Sequence, residues 1–288
     1  MRSLLFVPGD DERKITKGLA CAADALILDL EDAVAPQRKA AAREICAKAL
    51  LSANTTKKLF VRVNALDTGQ TLVDLAAIMQ GRPYGIVLPK CRGGEDATLV
   101  GHYLSALEAR EGIESGATRI LPIATETGVS MFGLGTYTGV KRLCGIFWGG
   151  EDLAADLGAV TNRGTHGHYT APYELARSLT LLAAAAAQVD AVDAVYTNYR
   201  DPEGLKAEAT EALRDGFSAK AAIHPDQAGP INAAFTPSEA DVTWAKRVVA
   251  AFDASPAAGV ASIEGKMLDR PHYRSAQRVL ARAAQAQG

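Results

Sequence analysis

Eight short apolar runs, each closed by polar, glycine or proline residues and followed by a helix-like stretch, constrain the fold of this chain most strongly. The runs are SLLFV (3–7), ALILDL (25–30), KLFVRV (58–63), GIVLP (85–89), RILPIAT (119–125), GIFWG (145–149), AVDAVYT (191–197) and AKAAIH (219–224). Continuous apolar strands are typical of parallel sheets that helices cover. The alternation predicts an α/β fold of the TIM (β/α)8 barrel type, which usually takes about 250 residues.

An open, doubly wound parallel sheet is the alternative arrangement for the same alternation. Against it, no G-x-G-x-x-G motif follows a predicted strand, because the nearest run, GLGTYTG (133–139), has the wrong final spacing. No P-loop sequence is present either. Pro122 lies inside the fifth run and cannot donate a hydrogen bond to a neighbouring strand. We therefore prefer the barrel and expect a local bulge at Pro122.

The residues after the eighth run form a separate C-terminal region. TPSE (236–239) matches a capping box with proline at the first helical position and predicts a helix there. The glycine-rich, apolar segment 255–271 is expected to dock on another surface, and HYRSAQRVLARAA (272–284) to form a last helix. We predict a catalytic barrel domain over residues 1–235 and a C-terminal helical extension or lid over residues 236–288.

The bulk composition argues against several classes of protein. The formal net charge is −2, whereas nucleic-acid-binding proteins usually carry a basic excess. The sequence has no run of about 20 apolar residues to span a membrane, and the N-terminal apolar run is too short for a signal peptide. The four cysteines are scattered, without a CxxC pair, and are expected to be reduced thiols. We expect a cytoplasmic protein without a nucleic-acid or membrane partner.

Charged residues follow the predicted strands at the end of the barrel where active sites of this class lie. Charges are costly to bury unless they are paired or bind metal, so their accumulation there indicates a functional site. The residues are Asp29, Glu31 and Asp32 after strand two, Arg62 and Asn64 after strand three, Lys90 after strand four, Glu126 after strand five, Glu151 and Asp152 after strand six, and His224 after strand eight.

The residue types at this edge favour a hard divalent cation. Carboxylates dominate and no Cys or His cluster accompanies them, which favours Mg²⁺, or Mn²⁺, over zinc. Glu126 and Asp152 follow neighbouring strands and are the predicted ligands, with water and substrate oxygens in the remaining positions. Arg62 is predicted to hold a substrate carboxylate with its bidentate guanidinium group.

The other residues of this edge have structural alternatives. Glu151 is expected to form a salt bridge within the edge, and Lys90 to pair with its acids rather than form a Schiff base. Asp29 and Glu31 either serve the site or anchor Arg62, and both interpretations stay open. Hydrogen bonding or packing is expected of a second group, namely His224, Cys91, Cys144, Phe147 and Trp148.

Eight motifs, which cover nearly the whole chain in order, extend this interpretation. They are RSLLFVPGD (2–10), DALILDLEDAV (24–34), LFVRVNA (59–65), VLPK (87–90), ATETGVSMF (124–132), GGEDLAADLG (149–158), AIHPDQ (222–227) and GKMLDRPHYRSA (265–276). Together they resemble the citrate lyase beta-subunit-like branch of the HpcH/HpaI aldolase/citrate lyase family. The resemblance implies a Mg²⁺-dependent carbon–carbon lyase that works as a homotrimer or hexamer. Its substrate would be a 3-hydroxy-dicarboxylic acyl thioester such as malyl-, citramalyl- or citryl-CoA, and its products an acyl thioester and a keto acid.

The resemblance also implies roles for individual residues. Glu126 and Asp152 would be the magnesium ligands, and Arg62 and Glu126 would contact the acid end of the substrate. Asp269 matches an aspartate that enters the neighbouring subunit's site as acid/base in malyl-CoA and citramalyl-CoA lyases, whereas the residues alone would make it a surface side chain. Asp32 stands where the pyruvate-type aldolases of the superfamily carry a histidine, which argues against that branch.

Related activities stay open at this point. One is a citrate lyase beta subunit acting on citryl-acyl-carrier protein, and another is a malyl-CoA-type thioesterase. A protein that only senses a metabolite is less compatible with the intact predicted ligands. The residues that bind the nucleotide end of the thioester are unknown. Four basic residues near the first strand and helix are candidates, but they also suit a solvated helix face, which is the interpretation we prefer; they are Arg2, Arg13, Lys14 and Lys17.

Overall fold

Eight parallel strands form one sheet and occupy the eight predicted positions. The computed structural model describes residues 1–165, 167–254 and 259–287. The strands are β1 (Ser3–Pro8), β2 (Ala25–Asp29), β3 (Lys58–Arg62), β4 (Gly85–Leu88), β5 (Arg119–Pro122), β6 (Gly145–Phe147), β7 (Asp190–Asp193) and β8 (Ala219–Ala222). They pair in the order β5-β4-β3-β2-β1-β8-β7-β6. Their residues are almost all buried, as expected of strands that helices cover.

The sheet closes into a barrel at the seam between β5 and β6. Isolated parallel bridges join Ile120 to Leu143 and Ile123 to Phe147 across this seam. Ile120 and Ala124 donate their backbone N–H groups to the β6 side. Pro122 lies between these two donors and has no N–H to add, so continuous pairing is lost there. The barrel therefore accommodates the proline at its seam, where we had expected a bulge.

Helices follow the strands and cover the barrel. Asp11 accepts hydrogen bonds from two backbone N–H groups at the start of α1, and proline occupies an early position in α7 and α8. The helices that follow the strands are α1 (Glu12–Ala20), α2 (Lys39–Ser52), α3 (Thr71–Ile78), α4 (Gly94–Glu111), α5 (Gly128–Met131), α6 (Glu151–Asp156), α7 (Ala171–Ala187), α8 (Pro202–Asp215) and α9 (Ala228–Phe235).

Short 3-10 turns complete these connections. They span Pro36–Arg38, Leu66–Thr68, Met79–Gly81, Leu134–Tyr137 and Pro225–Gln227. Among the described residues, no helix is both long enough and apolar enough to cross a membrane.

The chain divides into two compact units, residues 2–232 and residues 233–288 together with Met1. The second unit contains α10 (Glu239–Asp253), β9 (Val260–Ile263), β10 (Lys266–Asp269) and α11 (Arg270–Gln287). Ser238 caps α10 in a capping box with Asp241, as TPSE predicts, although Ser238 rather than Thr236 is the cap. The predicted domain boundary after residue 235 stays a prediction.

An antiparallel hairpin replaces most of the loop that we expected over 255–271, of which residues 255–258 lie outside the described residues. Strands β9 and β10 pair with Ile263 opposite Lys266. Glu264 and Gly265 between them both have positive φ, the geometry of a tight two-residue hairpin turn. Ile263 and Leu268 pack into a small core with α10 and α11, so the hairpin is an integral part of this unit. The last helix begins at Arg270, two residues earlier than predicted.

Candidate active site

Arg62 and Asp29 form the most buried ion pair of the predicted edge. They lie opposite each other in the β2–β3 register. The guanidinium Nε and Nη2 donate to Asp29 Oδ1 and Oδ2 at 2.7 and 2.6 Å, which uses the bidentate face of Arg62. The Phe6 ring lies 5.0 Å from its guanidinium carbon. Among the described residues, Arg62 Nη1 faces two further carboxylates, Glu31 at 3.0 Å and Asp32 at 3.7 Å, and the role predicted for Arg62 as a substrate clamp stays a prediction.

Asp29 is an anchor rather than a free carboxylate. Besides Arg62, it accepts hydrogen bonds from the backbone N–H groups of Glu31 and Ala33 at 2.9 and 3.1 Å. Burial alone would raise the pKa of Asp29, but the hydrogen bonds and charge of Arg62 and the two backbone donors lower it below its ordinary value. This finding resolves the alternative for Asp29 in favour of anchoring Arg62.

Glu31 connects Arg62 to Lys90. Its Oε2 lies 3.0 Å from Arg62 Nη1, and its Oε1 accepts a 2.7 Å hydrogen bond from Lys90 Nζ. Burial raises the pKa of Glu31 despite these two cations. The pairing of Glu31 with Lys90 raises the pKa of the ammonium group against the effect of its burial, so Lys90 is protonated. A salt-bridged lysine is thus confirmed, and a protonated amine is not the nucleophile of a Schiff base.

Lys90 also contacts both predicted metal ligands. Its backbone adopts a left-handed conformation with φ of 50°, uncommon for a residue other than glycine. In this conformation its N–H donates to Glu126 Oε2 at 2.5 Å. Its Nζ lies 3.4 Å from Asp152 Oδ1 and 3.7 Å from Asp32 Oδ2. Local backbone strain is characteristic of functional sites, and here it directs a donor at a predicted ligand.

Glu126 is buried four residues after the end of β5, between the backbone N–H of Lys90 on one side and Gly149 on the other. Thr125 Oγ1 accepts a hydrogen bond from the Gly149 N–H at 3.0 Å. A Cβ at Gly149 would lie 2.9 Å from Glu126 Cγ, so the side chain of Glu126 needs a glycine there. Burial, and next the charge of Asp152, raise the pKa of Glu126 to about 8.

Asp152 lies in the first turn of α6, five residues after β6 ends, and its side chain is 34% exposed. After burial, the negative charge of Asp152 is the next cause of the raised pKa of Glu126, and a divalent cation between the two carboxylates would offset that repulsion. In the described parts of the chain, no group of three or more Asp, Glu, His or Cys side chains forms a metal site. Two carboxylates with water and substrate oxygens fit Mg²⁺, which rarely uses an all-protein cage.

Several other predicted residues have structural roles. Glu151 accepts a 2.8 Å hydrogen bond from Asn162 Nδ2, and the expected salt bridge is not found among the residues that the structure describes. His224 caps the turn at Pro225–Gln227 through its Nδ1, as expected of a hydrogen-bonding residue. Asn64 donates to Asp74 Oδ2 at 2.7 Å.

The cysteines and aromatic residues also agree with the packing interpretation. All four cysteines are free, Cys91 is buried, and Cys144 is half-buried. Trp148 and Phe147 are buried, and the Trp148 indole N–H donates to Asp193 Oδ1 at 2.7 Å. Of the four N-terminal basic residues, Arg2 pairs with Asp24, and the side chains on α1 are exposed; these are Arg13, Lys14 and Lys17.

Asp269 lies in the other compact unit, at the end of β10. Its carboxylate is exposed and contacts His272 Nδ1 at 2.5 Å. The hydrogen bond with His272 lowers the pKa of Asp269. The acid/base role that the resemblance implies for Asp269 stays a prediction.

A second buried charge network was not predicted from the sequence. Lys220 on β8 is fully buried and donates to Asp193 Oδ2, the Ala194 carbonyl and Glu208 Oε1 at 2.7, 2.7 and 2.8 Å. Arg177 on α7 also donates to Asp193, so the network joins β7 and β8 to α7 and α8. The bond from Lys220 satisfies the Ala194 carbonyl at the point where β7 ends, four residues earlier than predicted. One charged residue within each of two neighbouring apolar runs was the available signal.

The structure thus defines a TIM-barrel enzyme with a carboxylate-rich edge at the carboxyl ends of its strands. The chain belongs to the HpcH/HpaI aldolase/citrate lyase family, whose family model matches residues 2–225. A second model, the C-C bond lyase of the TIM-barrel fold, matches residues 169–286. The predicted family, barrel fold and carbon–carbon lyase class are therefore confirmed.

Three similar proteins are named for CoA thioesters or were solved in complex with coenzyme A. The chain is 35% identical to a (3S)-malyl-CoA thioesterase from Cereibacter sphaeroides, over 98% of this chain and 94% of that protein. It is 32% identical to the mitochondrial citramalyl-CoA lyase of Mus musculus, over 97% and 85% of the two chains. The solved structure of CitE from Mycobacterium tuberculosis, in complex with magnesium, acetoacetate and coenzyme A, is 33% identical, with a TM-score of 0.78 and 98% of both chains covered.

Proposed function

We propose that this protein is a Mg²⁺-dependent lyase for a 3-hydroxy-dicarboxylic acyl thioester of CoA, such as malyl-, citramalyl- or citryl-CoA. The observation that carries the proposal is the pair of carboxylates at the barrel edge that both contact Lys90: Glu126 accepts from its backbone N–H at 2.5 Å, and Asp152 lies 3.4 Å from its ammonium group. Two cationic side chains, Arg62 and Lys90, border the same position. A metal-binding acid pair with neighbouring cations suits a substrate that carries both a hydroxyl and a carboxylate.

Cleavage by this class of reaction is a retro-aldol step. The hydroxyl of the substrate loses its proton, its carbon becomes the keto carbon, and the bond to the carbon next to the thioester breaks. The electron pair of that bond forms the thioester enolate, which then takes a proton on carbon. The products are an acyl thioester and a keto acid, so no oxidant or reductant is needed. Mn²⁺ could take the place of the proposed Mg²⁺.

The residues of the barrel edge divide this task. Glu126 and Asp152 would hold the metal, and Glu126 would also border the substrate. When bound, the metal ion polarises the carbon–oxygen bond that becomes the keto group. Asp29 fixes the guanidinium of Arg62, whose Nη1 edge is then the part able to contact the substrate carboxylate. Fixing the substrate in this way contributes through proximity and orientation.

We further propose that Asp269 exchanges the proton with the enolate carbon as acid/base and that it serves the site of a neighbouring subunit. This assignment rests on the family resemblance and on the exposed carboxylate of Asp269. On this assignment residues 236–288 would be a lid and the working enzyme an oligomer; we propose a homotrimer or hexamer, and a cytoplasmic location. Light scattering of the purified protein tests the assembly, and a monomer with full activity would contradict it.

Two alternatives follow from the named relatives and the family. The relative named (3S)-malyl-CoA thioesterase favours hydrolysis of the thioester, because a site that stabilises an enolate can also admit water. The family description includes citrate lyase, so citryl bound to an acyl-carrier protein is the second alternative substrate. Both would use the same acids and cations and differ in the fate of the thioester or in its carrier.

One incubation series separates these activities. The protein is given the CoA thioesters of malate, citramalate and citrate, with Mg²⁺ and with a chelator, and products are identified by mass spectrometry. A lyase gives acetyl-CoA with glyoxylate, pyruvate or oxaloacetate, and a thioesterase gives free CoA with the intact hydroxy acid. Turnover that requires a carrier protein supports the citrate lyase alternative. Turnover that persists in the chelator would contradict the proposed metal dependence.

A further inference from the structure

The two cations of the site differ in how much of their hydrogen-bonding capacity is already used. Arg62 donates twice to Asp29, and its Nη1 faces Glu31 at 3.0 Å. Its side chain is almost completely buried. Nε and Nη2 each commit one N–H to Asp29, and Nη1 already faces Glu31 and, at 3.7 Å, Asp32, so Arg62 has little donor capacity left for a further carboxylate.

Lys90 has capacity left for a ligand. Among the described residues, only Glu31 accepts a hydrogen bond from its ammonium group, at 2.7 Å. Asp152 and Asp32 lie at 3.4 and 3.7 Å, beyond good hydrogen-bonding distance for a three-donor group. The side chain is 30% exposed, so it is held in place and still open to solvent.

The position of Lys90 is fixed next to the proposed metal site. Its backbone N–H holds Glu126, its ammonium group borders Asp152, and Glu31 ties it to Arg62. The ammonium group and Arg62 Nη1 contact the two different oxygens of the Glu31 carboxylate. The exposed carboxylate of Asp32 has one oxygen, Oδ2, at 3.7 Å from both cations, so a carboxylate on the solvent side can face both of them at once.

We propose that the Lys90 ammonium group binds the carboxylate of the keto-acid half of the substrate, together with the Nη1 edge of Arg62. The proposal rests on the proposed function. It gives the substrate carboxylate a second donor beside Arg62 Nη1, since Nε and Nη2 of Arg62 already donate to Asp29. A lysine in this position opposes metal binding, because it places a positive charge beside Asp152. Its presence is consistent with a role toward an anionic substrate rather than toward the metal.

Replacement of Lys90 should therefore lower the affinity for a keto acid without lowering the affinity for Mg²⁺. In Lys90→Met the backbone N–H to Glu126 remains, so one metal ligand keeps its orientation. Removal of the ammonium charge leaves Mg²⁺ affinity unchanged or raises it. Binding of a keto acid to the Mg²⁺-loaded protein becomes at least tenfold weaker, while binding of acetyl-CoA, which has no such carboxylate, changes less than twofold. A role limited to holding the metal ligands in place would weaken both Mg²⁺ and keto-acid binding.

Isothermal titration of the full chain with Mg²⁺, pyruvate, glyoxylate, oxaloacetate and acetyl-CoA measures these affinities. Arg92→Met is the matched control, because it also removes one positive charge and lies two residues from Lys90 in the sequence. The Arg92 side chain is 65% exposed and pairs with Asp96. Lys90→Arg is expected to retain part of the keto-acid affinity. Unchanged keto-acid affinity in Lys90→Met, or parallel loss of Mg²⁺ affinity, would overturn the proposal.

A measurement on the wild-type protein covers the case in which Lys90→Met does not fold. Acetic anhydride modifies accessible lysines, and peptide mass spectrometry quantifies modification at Lys90. Pyruvate with Mg²⁺ is expected to protect Lys90 at least fivefold, whereas the methyl ester of pyruvate is expected to give no protection. Equal modification with and without pyruvate would overturn the proposal. Failure of the wild-type protein to bind Mg²⁺ would instead count against the proposed function.

Discussion

Replacement of Asp152 by asparagine tests the metal site through stability as well as activity. The Asp152 side chain is 34% exposed, and its only described ion pair is the 3.4 Å contact with Lys90. Exposed substitutions usually change the free energy of unfolding by less than about 0.5 kcal/mol. Asp152→Asn should therefore leave the metal-free protein about as stable as the wild type, and it also removes the charge that, after burial, raises the pKa of Glu126.

The stabilisation by magnesium is where the two proteins should differ. A ligand that binds only the folded state at 100 times its Kd stabilises that state by about 2.7 kcal/mol. We expect the wild type to gain about this free energy of unfolding, and Asp152→Asn to gain less than about 0.5 kcal/mol at the same concentration. Urea unfolding with Mg²⁺ and with a chelator measures both values, and turnover of the preferred thioester should disappear in the variant.

Glu151→Gln is the control for this comparison. Glu151 is the neighbouring residue in the same turn of α6, and its partner is the Asn162 amide, which a glutamine can still accept from. This variant loses one carboxylate charge but should keep both the magnesium stabilisation and the turnover. If Asp152→Asn still gained about 2 kcal/mol from Mg²⁺, Asp152 would not be a ligand. If it were strongly destabilised without metal, its role would be structural.

Three further predictions concern residues other than the two proposed metal ligands. Asp269→Ala should leave Mg²⁺ affinity unchanged and lower turnover at least tenfold, so equal loss of both in titration and kinetics would make it structural. Asp29→Ala should cost about 3–5 kcal/mol in urea unfolding, because it leaves the buried Arg62 fork unpaired; a cost below about 1 kcal/mol would contradict the anchoring role. Burial opposes ionisation of Glu108, but Arg142 and two backbone N–H groups lower its pKa to about 2. Its stabilising contribution is thus complete above about pH 4.5 and is lost as the pH falls toward 2, and Glu108→Gln should flatten that part of the stability profile.

The sequence predicted the strands because a short, continuous apolar run is typical of a parallel strand that is buried on both faces. It also predicted which charges gather at the edge, because the carboxyl ends of all the strands lie on one side of a parallel barrel. It did not predict how the charges pair. Arg62 meets Asp29 because β2 and β3 align these two residues, and that register depends on the ladder of backbone hydrogen bonds rather than on either side chain.

Two other features required the three-dimensional structure. The barrel seam lies at Pro122; the sequence marked this residue as unable to donate, but it did not tell whether the sheet would bulge there or lose its continuous pairing. The hairpin in the C-terminal unit turns at Glu264 and Gly265, without the Asn-Gly or Asp-Gly pair that usually marks such a turn. Its strands are four residues each, too short for a clear alternation of apolar and polar residues.

The balance of charge at the barrel edge argues for an order of binding. The acids there outnumber the cations that form ion pairs with them, so the site has an excess of negative charge once Glu126 is ionised; the acids are Asp29, Glu31, Asp32, Glu126 and Asp152, and the paired cations Arg62 and Lys90. An anionic substrate is repelled by such a site, whereas a divalent cation is attracted. The proposed Mg²⁺ would therefore bind before the substrate, and Lys90 would remain the cation with unused donors to receive its carboxylate. Keto-acid affinity measured at a series of Mg²⁺ concentrations tests this order, and an affinity independent of Mg²⁺ would refute it.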